Sequence, residues 1–232
     1  MKISFDHGPR IVGCITTESL LQRSARELPA DCDILEVRLD LTGLCGGKWM
    51  ELCAAIQNLG RPVLLTIRAE SQGGQWRGRE AERLALYLTG LTSVSAVDLE
   101  IGARALEMLV PKARQHGVAV VASFHDFKGT PALPELLVLE SRGRKMGADL
   151  VKIVTQVNTP ADLARLFALS AQATGPFCVM GMGTAGAVSR VALPCAGANW
   201  VYGALETPAV PGQLDCLTLA EELDRWGVRR RG

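Results

Sequence analysis

The sequence predicts a single (β/α)8 TIM barrel over residues 1–232. Eight short apolar or β-branched runs, helical stretches between most of them, and a length near the roughly 250 residues usual for one such domain all point to it. In order, the candidate strands are RIVGCIT at 10–16, DILEVRLD at 33–40, PVLLTIR at 62–68, AVDLEI at 96–101, VAVVASFHD at 118–126, DLVKIV at 149–154, FCVMGM at 177–182 and ANWVYGAL at 198–205. REAERLALYLTGL after the third run and PADLARLFALSAQA after the sixth carry a helical period. After the eighth, CLTLAEELDRWG sets Leu217, Leu219, Leu223 and Trp226 on an approximate apolar face. Strand alternating with helix means parallel strands joined by crossovers, and eight units in this length favour closure into a barrel over an open sheet. No G-x-G-x-x-G follows the first strand, as a dinucleotide-binding open sheet would favour.

A formal net charge of +1 gives no reason to expect nucleic acid or an anionic membrane as a partner, since those surfaces select strongly basic patches. The N-terminal stretch MKISFDHGPRIVGCITT lacks the unbroken apolar segment of a secretory signal, and no run reaches the roughly 18 apolar residues of a membrane span. A cytoplasmic location is the expectation. Seven cysteines, at 14, 32, 45, 53, 178, 195 and 216, include no C-x-x-C pair. In a reducing compartment they read as buried small hydrophobes, so neither a metal nor another cofactor is expected.

Strands of a parallel barrel are covered on both faces, so a charged residue inside one must lie at its end or be paired. Charge nonetheless gathers near the C-terminal ends of five strands: Glu36, Arg38 and Asp40, then Arg68, Asp98 with Glu100, His125 and Lys152. Residues two apart share a strand face, so Glu36, Arg38 and Asp40 are expected to project together, as are Asp98 and Glu100. Barrel enzymes assemble their sites at this end. Asp40 and Asp98 taken singly read as structural partners of arginines. Lys152 lies among Leu150, Val151, Ile153 and Val154, and an apolar surround disfavours the ammonium form and leaves neutral amine as a nucleophile. His125, one strand away, can take and return a proton near neutrality. His7 and His116 read as surface residues.

In order along the chain, EVRLD, IR followed by a GG loop, SFHDF with TP, DLVKI, SR and PGQ resemble the type I 3-dehydroquinate dehydratases from the first strand to the last. The resemblance implies that Lys152 forms an imine with the ketone of 3-dehydroquinate while His125 removes the adjacent proton and helps expel a hydroxyl as water, giving 3-dehydroshikimate in the shikimate pathway. It implies that Glu36, Arg38 and Arg68 hold substrate hydroxyls, that Arg190 grips the carboxylate, that Gln213 closes over the substrate, and that Tyr202 and Met182 form apolar walls. A homodimer is implied as well. Two positions depart from the family's pattern: Gln72 stands where members carry glutamate, and Ala209 where they carry serine. The first bears on the titration of His125. Two rivals remain open: a Schiff-base aldolase of a phosphorylated sugar, using the glycines of GMGTAGA as a phosphate cradle, and a barrel that binds a metabolite without turning it over.

Overall fold

The computed structural model describes residues 2–5, 8–44, 46–208 and 212–229. His7, Cys45 and Ala209 lie outside the described residues. Eight strands appear where eight were expected: β1 (Arg10–Ile15), β2 (Ile34–Arg38), β3 (Val63–Thr66), β4 (Ala96–Glu100), β5 (Ala119–Asp126), β6 (Leu150–Gln156), β7 (Phe177–Met182) and β8 (Trp200–Ala204). All pairings are parallel, in the order β7-β6-β5-β4-β3-β2-β1-β8. The remaining seam, between β7 and β8, is bridged at its lower end by Asn199. Its N–H donates to the Phe177 carbonyl at 2.9 Å, and its Oδ1 accepts from the Phe177 N–H at 2.8 Å. The result is a nearly closed barrel.

The helices are α1 (Glu18–Ser24), α2 (Leu39–Thr42), α3 (Lys48–Asn58), α4 (Glu80–Gly90), α5 (Arg104–Gln115), α6 (Leu133–Lys145), α7 (Pro160–Gln172), α8 (Ser189–Cys195) and α9 (Cys216–Arg225). Their starts follow local chemistry. Thr159 caps α7 in a capping box with Asp162 and Pro160 stands in its first turn, while the Asp215 carboxylate accepts from the Thr218 N–H at 2.8 Å to open α9. Such a cap contributes about 1 kcal/mol. Two of the local expectations are corrected. On α9 the buried stripe is Cys216, Leu219, Ala220 and Leu223, whereas Leu217 and Trp226 face solvent, because positions spaced 3, 1 and 3 keep one helical face and Leu217 is turned away from it. Asp40 is not on β2 either: the chain turns into α2 after Arg38, so the carboxylate reaches the barrel mouth from a helical turn.

The outward faces of the strands pack Val37, Leu65, Val97, Ala122, Val151 and Val179 beneath the helices. At the N-terminal end the barrel is plugged by Phe5, whose ring stacks on Trp200 with centroids 5.6 Å apart. Four of the six described cysteines, 32, 53, 178 and 216, are buried small side chains as expected; Cys14 is half-buried and Cys195 is exposed. His116 is exposed at the end of α5. Above this apolar layer, the C-terminal ends of the strands are left to carry polar groups, and that is where they converge.

Candidate active site

Strand alternation points Glu36 on β2, Asp98 on β4, Ser123 and His125 on β5, Lys152 on β6 and Tyr202 on β8 into the barrel near its C-terminal mouth. The register sets Ser123 beside Lys152 and His125 beside Val154. These side chains line or underlie a cavity of about 420 Å³. All ten candidate catalytic and substrate-binding residues line it, Glu36, Arg38, Arg68, Gln72, His125, Lys152, Met182, Arg190, Tyr202 and Gln213, whereas Asp40, Asp98 and Glu100 of the strand-end cluster are not in its lining.

A chain of charge runs under the cavity floor. Lys152 Nζ lies 3.2 Å from Asp98 Oδ2, 3.8 Å from Glu36 Oε1 and 3.8 Å from the centroid of the Tyr202 ring. Asp98 also accepts from Arg68 at 2.8 Å and from the Ser123 hydroxyl at 2.6 Å. Arg68 continues to Glu100 at 3.3 Å, and Glu100 to Arg83 on α4 at 2.7 Å. Burial alone would raise the Asp98 carboxyl, but Arg68 and then Lys152 outweigh it and hold the group well below the usual carboxylate range. The expected apolar surround of Lys152 is therefore corrected. Its chain neighbours are apolar, yet its ammonium sits in an ion-paired cluster whose partners come from β2 and β4. Removing a member whose partner has no second counter-charge leaves an uncompensated buried charge, at a cost of roughly 3–5 kcal/mol.

His125 is held differently. Its backbone N–H donates to Gln72 Oε1 at 2.8 Å, and the ring lies near-parallel to Phe127 with centroids 6.4 Å apart. Its Nδ1 is buried without a hydrogen-bond partner among the described residues. Burial, followed by repulsion from Arg68 and Lys152, pushes the imidazole well below its ordinary value, so the ring is neutral near neutrality. The Gln72 side chain thus neighbours His125, as expected, but it bonds the main chain and not the ring. The turn that delivers it is Glu70–Gln72 followed by two glycines. Gly73 has φ +77°, and a Cβ there would collide with the Phe127 ring; at Gly74 one would collide with the Arg68 carbonyl.

Of the arginines in the cavity wall, Arg38 is gripped by both oxygens of Asp40 at 3.0 and 2.8 Å, and Arg68 is bound to Ser123 and Asp98. Arg190 differs. Only 2% exposed, it has no carboxylate partner among the described residues; Nη1 reaches the Tyr202 carbonyl at 3.2 Å and Met180 Sδ at 3.5 Å, and Nε has no partner. Burial lowers its guanidinium from the ordinary value, and it stays cationic. A buried, unpaired guanidinium facing a cavity fits a carboxylate, which its planar fork meets with two hydrogen bonds.

Cys14, Thr16, Leu41, Phe127, Val154 and Met180 line the same cavity and were not singled out from the sequence. The period-2 rule would have found several: Met180 stands two before Met182, Val154 two after Lys152, and Phe127 two after His125. Asp98, read singly as an arginine's partner, has that role and pairs with Lys152 too. The glycines after β7 serve chain packing: Gly181 and Gly186 approach so closely that a Cβ on either would strike the other's backbone. The Gly181 N–H is already taken by Ser189 Oγ at 2.7 Å, which removes a donor from the supposed phosphate cradle. Among the described residues no group of three His, Cys, Asp or Glu side chains converges as a metal-ligand set.

A family model described as type I 3-dehydroquinase matches residues 12–227. The 3-dehydroquinate dehydratase of Methanocella arvoryzae is 30% identical over 225 residues, covering 97% of this chain and 100% of that protein. That of Methanosarcina barkeri is 34% identical over 218 residues, with 87% and 88% covered. Among solved structures, the 3-dehydroquinate dehydratase of Geobacillus kaustophilus superposes with a TM-score of 0.87 at 24% identity, over 96% of this chain and 93% of that one, a likeness of fold. The Enterococcus faecalis 3-dehydroquinate dehydratase gives 0.82 at 25% identity over 95% of each chain. With the match running from β1 to the turn after α9, the chain belongs to the type I 3-dehydroquinase family.

Proposed function

We propose that residues 1–232 form one catalytic domain that dehydrates 3-dehydroquinate to 3-dehydroshikimate through an imine on Lys152. One constellation carries this reading: a buried lysine, a neutral imidazole on the adjacent strand and an unpaired guanidinium, all in one cavity. The Lys152 ammonium first loses a proton, for which neutral His125 is the base at hand. The amine then adds to the ketone carbon, and the imidazolium gives its proton to the carbinolamine hydroxyl, which leaves as water to produce a protonated imine and a neutral imidazole again. That cation is a better electron sink than the ketone, so the imidazole can take the neighbouring carbon-bound proton, the C–H electron pair forming a C=C bond as the C=N pair moves onto nitrogen to give an enamine. The enamine expels the hydroxyl one carbon further on, and the imidazolium returns its proton to it so that it leaves as water. Hydrolysis of the conjugated imine frees the enone and Lys152.

Arg190 would bind the substrate carboxylate, Glu36 and Arg38 its hydroxyls, and Gln213 would close over it while Tyr202 and Met182 wall the ring. Arg68, with two nitrogens committed to Ser123 and Asp98, acts mainly by fixing the charge of the floor. Gain of ultraviolet absorbance from the conjugated enone tests the activity. It is expected from protein and 3-dehydroquinate alone, undiminished by chelator, because the imine supplies the electrophilic activation; ligand binding without turnover would contradict the proposal. Arg190→Ala is expected to raise KM and lower kcat/KM by about 2–5 kcal/mol, the usual cost of deleting one partner of a buried charge pair. An unchanged KM and rate would remove Arg190 from the carboxylate site.

The family resemblance also favours a cytoplasmic homodimer. No described helix is long and apolar enough to cross a membrane. Light scattering on the purified protein, expected to give twice the chain mass, tests the dimer.

A further inference from the structure

A second cavity, of about 370 Å³, opens at the N-terminal end of the barrel, away from the strand ends that form the active site. Its wall is cationic. Arg10 begins β1, Arg61 precedes β3, and Lys2 and Arg229 come from the two ends of the described chain. Among the described residues the one carboxylate in the wall, Asp33, is already committed: one oxygen accepts from the Ile11 N–H at 2.8 Å and the other from Arg229 at 3.3 Å. Lys2, Arg10 and Arg61 have no ion pair among the described residues. Among the described residues Arg61 Nη1 finds only the Cys32 sulfur, at 3.6 Å, and Arg10 Nε is shut off from solvent with no hydrogen-bond partner.

Three cations with no counter-charge among the described residues repel each other around one concavity unless an anion enters, and two guanidinium forks offer the paired donors that a tetrahedral oxyanion accepts. Ile34 and Pro62 add an apolar side to the wall, and the volume exceeds that of a single oxyanion. We propose that this face of the barrel binds a small phosphate-bearing anion, held by Arg10 and Arg61 with Lys2 and Arg229 around it. The ligand joins the two chain ends to the starts of β1 and β3, so its binding stabilises the fold.

The test is the thermal unfolding midpoint against inorganic phosphate, with chloride replacing it at constant ionic strength. Expected is a rise that saturates with phosphate and is absent with chloride. It should be lost in Arg10→Gln/Arg61→Gln, weakened but present in the charge-conserving Arg61→Lys, and retained in Arg190→Ala, which removes the anion clamp of the active site. The KM for 3-dehydroquinate should stay constant at phosphate concentrations that saturate the rise. A parallel titration with glycerol phosphate separates the two sources: tighter saturation than by inorganic phosphate assigns the site to a phosphate monoester, and weaker saturation assigns it to the free ion. The proposal is overturned if phosphate and chloride act alike, if Arg61→Lys responds like wild type, if the double substitution keeps the response, or if Arg190→Ala loses it.

Discussion

Lys152→Ala is expected to reduce turnover of 3-dehydroquinate by roughly 10⁶-fold, the scale on which loss of a covalent nucleophile registers in enzymes that depend on one. The expectation rests on position. The Nζ sits at the cavity floor between Asp98 and Glu36, over the Tyr202 ring, and every covalent step in the proposed cycle passes through it. Its removal leaves Asp98 bonded to Arg68 and Ser123, so the floor keeps a charge partner and the protein should fold. Arg190 is untouched, so part of the ligand affinity should remain and be measurable by calorimetry. Residual activity within a hundredfold of wild type would show that the imine is not the source of the rate.

His125→Ala is expected to cost about 10²–10⁴-fold in kcat, the usual contribution of a positioned acid or base that works in both directions. The pH profile carries a sharper expectation. The base form of His125 is the neutral one, and burial together with Arg68, Lys152 and, more weakly, Arg38 pushes the imidazole below its ordinary value of about 6.5, with Asp98 opposing. Lowering the pKa extends the neutral form to lower pH. The acid limb of kcat/KM should therefore lie below pH 6.5 in the wild-type protein. Gln72→Glu brings a carboxylate to the place from which Gln72 Oε1 now accepts the His125 N–H, and that charge favours imidazolium. Its acid limb should move upward. A wild-type limb above 6.5, or one that Gln72→Glu leaves in place, would contradict this account of the histidine.

The barrel was legible because parallel strands covered on both faces need continuous apolar, β-branched runs, and that composition is visible without knowing what lies across from each run. The site was legible for a related reason: ionisable residues at strand ends break the rule that makes strands recognisable. What could not be read was non-local. Lys152 has apolar neighbours along the chain, so its partners were invisible until β2 and β4 were folded beside it. Asp40 continued the period of β2, but pairing of β2 ends at Arg38, and the carboxylate serves that arginine from α2. Gln72 was correctly brought to His125, yet the sequence could not tell a bond to the main chain from a bond to the ring. The basic cluster at the other end of the barrel is scattered over residues 2, 10, 61 and 229, with no local pattern at all.

The most direct measurement of the central claim is borohydride trapping. A neutral amine that adds to the substrate ketone passes through an imine, which borohydride reduces to a stable secondary amine. Incubation with 3-dehydroquinate and borohydride should inactivate the protein irreversibly and add the mass of the reduced ligand to the peptide that contains Lys152. Lys152→Arg should take up no label, since guanidinium stays protonated and cannot serve as this nucleophile. Labelling of a different lysine, or continued turnover with no label at all, would contradict the assignment of Lys152 as the residue that carries the substrate.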